Sequence, residues 1–221
     1  MADSLLNVFF GTLDSLATLV LIYKIFRWPF WRSFNKLIVI AVVISLVSFI
    51  NRTVLGLAEF DTAIQFVLYI VALRFIIRVS TDYAFSLTAI GYVTFLLIQF
   101  IVYPTLLASG IVTMDDAEAI NGLGTYIIQI ATELVCYAVA FVLYRFGLGF
   151  TYVDIPPHDE YGTQRRSKLD LFANILGSVA VATFMYWILN YQTHILIIIP
   201  LLAVSLALLL YISSRKEYGR H

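Results

Sequence analysis

Long apolar stretches, broken by short charged ones, run the length of the chain. Seven can be marked, at 5–26, 37–57, 62–79, 84–109, 122–147, 170–189 and 193–213. Each is close to the roughly 20 residues that carry a helix across a bilayer core at ~1.5 Å per residue. Spanning backbone must bond within itself, which leaves helices or a closed barrel. Barrel strands are short and alternate polar with apolar positions, whereas these runs are long and continuously apolar. The expected fold is therefore all-α, a polytopic transmembrane helical bundle of about seven spans. It forms a single transmembrane domain over 1–214, followed by a short cytoplasmic tail at 215–221. Residues 58–61 alone part the second run from the third, and the third is short, so six spans is the alternative count. Pro104 and Pro200 fall inside runs, where a kink is expected, while Pro156 and Pro157 fall in a polar loop.

Composition agrees with this pattern. The 221 residues are 61% apolar and 13% charged, against about 45–50% and about 25% in an ordinary soluble domain. The excess apolar side chains need an apolar solvent, so the lipid bilayer is the first partner implied. The N-terminal residues carry Asp3 and no basic residue, and the first run ends in Lys24 and Arg27 without a small-residue cleavage site. That polarity is opposite to a secretory signal peptide, so the run reads as a retained first span.

The net charge is zero, but its distribution is informative. Lys24, Arg27, Arg32 and Lys36 surround the first connection. Arg74 and Arg78 lie at the third, Arg145, Arg165, Arg166 and Lys168 at the fifth, and Arg215, Lys216 and Arg220 in the tail. Of the 14 lysines and arginines, Arg52 alone falls on the other set of connections, together with Asp3, Glu59, Asp61, Asp115, Asp116 and Glu118. The basic side is cytoplasmic by the positive-inside rule, which gives an outer N-terminus and a cytoplasmic C-terminus in the cell membrane. Six spans would break the alternation. Trp28 and Trp31 near the first connection, and Tyr186, Trp187 and Tyr191 near the outer end of the sixth run, read as interfacial anchors. Arg74 and Arg78, one turn apart, read as an anchor or a site for an anionic lipid headgroup. The longest polar stretch, 151–169, reads as a flexible cytoplasmic connection, with docking of a partner as the alternative.

Ionisable groups inside a membrane are expensive, and that makes them functional candidates. Asp14 and Glu133 fall at similar depths near the middle of the first and fifth runs. Gln129 lies one turn before Glu133, and Gln65 and Gln99 add amides from the third and fourth runs. Arg52 could reach inward to Asp14 or Glu133, or extend to the headgroups. These six residues form the candidate intramembrane polar pocket. An ion pair that merely orders the bundle competes with a ligand pocket open to the outside and with a proton- or ion-coupled transport site.

Other chemistry is not indicated. His158, His194 and His221 are scattered, Cys136 is alone in an apolar run, and HExxH, phosphate-loop and GxSxG motifs are missing. No enzyme activity, cofactor, metal or nucleic-acid partner is expected. Ala173, Gly177, Ser178 and Ala182 give the sixth run a small-residue face suited to close helix packing, and hence to homodimerisation.

The short loops, the apolar module of about seven spans and the basic exit at Ser214, Arg215 and Lys216 resemble the membrane sensor region of Gram-positive peptide-pheromone histidine kinases of the accessory-gene-regulator type. The likeness covers the whole chain without a specific motif. It implies reception of an extracellular signal and its relay, through the last span, to a dimeric cytoplasmic kinase. After Lys216 the sequence holds neither a phosphoacceptor helix nor an ATP-binding domain, and His221 is terminal. Phosphotransfer is thus not carried over. The expected role is a sensor-like or accessory membrane protein acting through contacts with a ligand or with a cytoplasmic or membrane signalling partner. A small transport protein or substrate-binding membrane component is one alternative, and a structural or assembly protein another.

Overall fold

The helices follow the apolar runs closely. The structure, a computed structural model, describes residues 2–114, 122–158, 172, 175, 177, 179 and 195–218. Among them are six helices and no strand: α1 (Ala2–Ile25), α2 (Phe34–Thr53), α3 (Asp61–Ala72), α4 (Thr81–Ala108), α5 (Leu123–Arg145) and α6 (Ile195–Tyr218). Phe172, Ile175, Gly177 and Val179, within the sixth run, are also helical. All but α3 are long and apolar enough to cross a membrane, which makes five such helices. Twelve residues of α3 continue into five of π-helix, Leu73–Ile77, so this element stays below spanning length by that measure. The expected sixth run, 170–189, lies largely outside the described set, as do the anchors Tyr186, Trp187 and Tyr191, the basic Arg165, Arg166, Lys168 and Arg220, the acidic Asp115, Asp116 and Glu118, and His194 and His221.

Packing is centred on α1 and α4. Helix α1 touches α2, α4 and α5, and α4 touches α1, α3, α5 and α6. Leu19, Leu21 and Ile22 on α1 are fully buried although they point in different directions, as expected of a helix surrounded by others. Gly11 lets α1 approach α2 closely, because a Cβ there would meet Ser45 Oγ at 2.6 Å. The outer helices expose large apolar side chains instead, among them Val39, Val43, Leu134, Phe141 and Val204. Such faces would be a liability in water and are ordinary against lipid.

The bundle end that the basic residues assign to the cytoplasm is covered by residues 146–158. Gly149, at φ +120°, crosses so close to the last turn of α1 that a Cβ would collide with the Ile25 carbonyl. Phe150 N–H then donates to that carbonyl oxygen at 2.7 Å, supplying one of the partners a helix C-terminus lacks. Trp28 Nε1 donates to Val153 O at 3.2 Å. Glu217 accepts from Tyr152 N–H at 2.9 Å, from Thr151 N–H at 2.8 Å and from the Thr151 hydroxyl. His158 Nδ1 accepts from Ser80 N–H at 3.1 Å, and the His158 backbone N–H donates to Arg78 O at 2.9 Å.

Three expectations change here. The first part of the 151–169 stretch is pinned to helix ends rather than flexible, and residues 159–169 lie outside the described set. Trp28 is 2% exposed and stacks edge-on against Tyr23, so it is a core residue rather than a lipid anchor, whereas Trp31 is 79% exposed. Helix α6 runs through Tyr218 without a break at 214, its last turn held by the Glu217 contacts.

Candidate functional site

A polar cavity of about 70 Å³ lies among five helices in the half of the bundle that the charge pattern assigns to the outside. Asn7, Gly11, Asp14, Ser15 and Thr18 reach it from α1, and Ser45, Ser48, Phe49 and Arg52 from α2. Thr62, Gln65 and Tyr69 come from α3, Tyr92, Phe95, Leu96 and Gln99 from α4, and Gln129 from α5. Five of the six expected pocket residues are thus gathered on one wall-to-wall site. Glu133 is the sixth. It is 4% exposed, one helical turn beyond Gln129 and behind the cavity wall.

The site has two ends. At the first, Asp61 opens α3 and is 1% exposed. Its Oδ2 accepts from Arg52 Nε at 2.8 Å, Ser48 Oγ at 2.7 Å and Gln65 Nε2 at 2.8 Å. Gln65 also donates to Ser48 Oγ at 3.1 Å. Arg52 and Asp61 form an ion pair. The Arg52 side chain remains 42% exposed, which places the mouth of the cavity at this end. Arg52 therefore turns to Asp61, and not to Asp14 or Glu133 as its sequence position suggested. The acidic side chain nearest in space had been assigned to an outer loop.

At the second end, Asp14 Oδ2 accepts from Gln129 Nε2 at 3.0 Å. Gln129 Oε1 and Glu133 Oε1 are buried and have no hydrogen-bond partner among the described residues. Glu133 lies one helical turn beyond Gln129 on α5, the helix whose amide meets Asp14. The hydroxyls here are turned to backbone: Thr18 donates to Asp14 O at 3.2 Å and Thr132 to Ile128 O at 2.8 Å.

Aromatic side chains close the inner wall. Tyr69 and Tyr92 have ring centroids 5.6 Å apart and Tyr92 and Phe95 6.5 Å, with the Tyr92 hydroxyl donating to Thr62 O at 3.1 Å. Ser15 O accepts from Tyr69 at 3.4 Å, tying this wall to α1.

The remaining sequence candidates lie elsewhere. Arg74 donates to Val79 O at 3.3 Å, while Arg78 sits beyond the π-helical turn with φ +65°. The two cations are therefore not stacked on one helical face, because the helix ends between them. Gly177 packs on Ala89 of α4, so the one described member of the small-residue face is used inside the chain rather than offered to a second copy. Ala173, Ser178 and Ala182 lie outside the described residues. No group of His, Cys, Asp and Glu suited to a metal occurs among the described residues. Comparison with family models, with curated proteins and with solved structures finds no match for this chain.

Proposed function

We propose that this chain is a multi-pass protein of the cell membrane, with seven spans, an outer N-terminus and a cytoplasmic C-terminus, that senses a small polar ligand entering the bundle from outside. It acts through contacts with that ligand and with a signalling partner, without catalysis. The observation that carries the reading is the cavity itself: polar side chains from five helices converge on it in a bundle that is otherwise almost uncharged. Burying so many polar groups in hydrocarbon is costly, and a structural ion pair needs Arg52 and Asp61 only. The open space, Asp14 and the amides beyond that pair have no packing role that apolar residues would not fill better. The partly exposed Arg52 at the mouth supports access from the outer side, and the distribution of basic residues supports the topology.

The test is cysteine accessibility in intact cells. In a Cys136→Ala background, Ser48→Cys should react with a membrane-impermeant thiol reagent added outside. C-terminal fusions should report a cytoplasmic end. Labelling that requires permeabilised cells would overturn the outward-facing pocket, and a fusion reporting an outer C-terminus would overturn the topology. Uptake of a ligand into proteoliposomes by the chain alone would favour transport over sensing.

A further inference from the structure

The two ends of the cavity differ in how their charge is balanced, and the difference specifies a ligand. At the mouth, Asp61 and Arg52 cancel in charge and three donors meet Asp61 Oδ2, while Asp61 Oδ1 is buried without a donor. At the inner end, Asp14 meets one neutral amide. The amide's own oxygen, Gln129 Oε1, is buried without a donor, and so is Glu133 Oε1 one turn further on. Buried acceptors in this state are each unfavourable by roughly 1–3 kcal/mol until a donor arrives. The inner end is therefore short of hydrogen-bond donors and of positive charge together. Tyr69, Tyr92 and Phe95 line the same cavity and give it aromatic surface on which a cation can be held.

We infer that the pocket binds a small ligand bearing a primary ammonium group, with its nitrogen between the Asp14 carboxylate and the Gln129 amide oxygen. This rests on the outward-facing pocket proposed above. An ammonium supplies three N–H donors and one positive charge, and so answers both deficits in one group. The about 70 Å³ available corresponds to about five waters at roughly 10–15 Å³ each, so the ligand has about four to seven heavy atoms. Its far end meets the amides of Gln65 and Gln99 and the hydroxyls near the mouth, which suits a hydroxyl or similar polar group. Glu133, behind Gln129, adds to the negative potential and acts as a positioning residue.

The full chain in lipid nanodiscs is titrated calorimetrically with ethanolamine, propylamine, ethylene glycol, sodium acetate and sodium chloride. Saturable binding of the two amines, with ethylene glycol and both sodium salts silent, is the expected result. Asp14→Asn should weaken amine binding at least tenfold, Asp14→Glu should restore part of it, and Glu133→Gln should weaken it severalfold. Thermal unfolding of each variant checks that it is folded. Equal binding of ethylene glycol, binding of acetate, or binding of sodium in place of amines overturns the ammonium assignment. If that binding is lost in Gln99→Trp, which fills the cavity, the pocket reading survives. Silence of both amines also overturns the inference, and the cysteine-accessibility result decides separately whether the pocket reading falls with it.

Discussion

Two carboxylates serve the same cavity under opposite conditions. Asp61 is neutralised: an arginine, a serine and a glutamine converge on its Oδ2, Oδ1 stays buried without a donor, and the whole set is drawn from the neighbouring ends of α2 and α3. Asp14, in mid-helix on α1, receives a single amide from α5, and the buried Glu133 lies one turn further along that helix. A bundle that only needed order would furnish both or remove one. The contrast assigns Asp61 to the architecture of the site and leaves Asp14 to do something that architecture does not require.

The sharpest way to break this comparison is Asp61→Ala. It strands the Arg52 guanidinium, the Ser48 hydroxyl and the Gln65 amide together, and breaking a buried pair typically costs about 3–5 kcal/mol. Arg52 is partly exposed, so a loss near the lower limit, about 3 kcal/mol, is expected in denaturant unfolding in mixed micelles. A loss below about 1 kcal/mol would deny Asp61 its structural role. Next in size is the coupling itself. A double-mutant cycle of Arg52→Gln with Asp61→Asn should give about 1–2 kcal/mol, whereas the same cycle with Asp14→Asn in place of Asp61→Asn should give under about 0.5 kcal/mol. Equal couplings would erase the distinction between the two ends. Ser48→Ala comes third, at about 1 kcal/mol, since one hydrogen bond to a carboxylate is lost while two remain.

The two ends were also unequally legible in the sequence, for a physical reason. Asp14, Gln129 and Glu133 stand out because a polar residue in the middle of an apolar run has nowhere to go but the bundle interior or a headgroup too distant to reach. Asp61 lies between two runs, beside Glu59, where a charge is ordinarily solvated, and linear position does not show that the α2–α3 connection folds it inward. Its partner Arg52 stands out as the lone cation on its side, but linear position points it to Asp14, to Glu133 or to the headgroups, and not to Asp61. The all-helical, membrane-spanning character followed from run length, and the short third run is the element whose spanning length falls short. Helix faces did not follow, because α1 is apolar nearly all round and carries little periodicity from which to read an inner side. The pinned loop was equally hidden: Glu217 caps residues 65 and 66 positions away, and no local pattern announces it.

The smallest expected effect discriminates best. Asp14→Asn keeps the shape of the side chain and removes its charge. The new amide can still accept from Gln129 Nε2 through its oxygen, and its NH₂ can donate to Gln129 Oε1, the oxygen that now has no partner. Two neutral, reciprocal hydrogen bonds replace one, and no ionisable group is left buried at this position. The variant should therefore unfold at equal or higher denaturant than the parent, by about 0.5–1 kcal/mol, while Asp61→Asn moves the opposite way. A residue whose removal stabilises the fold is retained for another reason, in keeping with the general opposition between stability and binding sites. If Asp14→Asn instead destabilises the chain as much as Asp61→Asn, both carboxylates are structural, and the case for a ligand at the inner end loses its foundation.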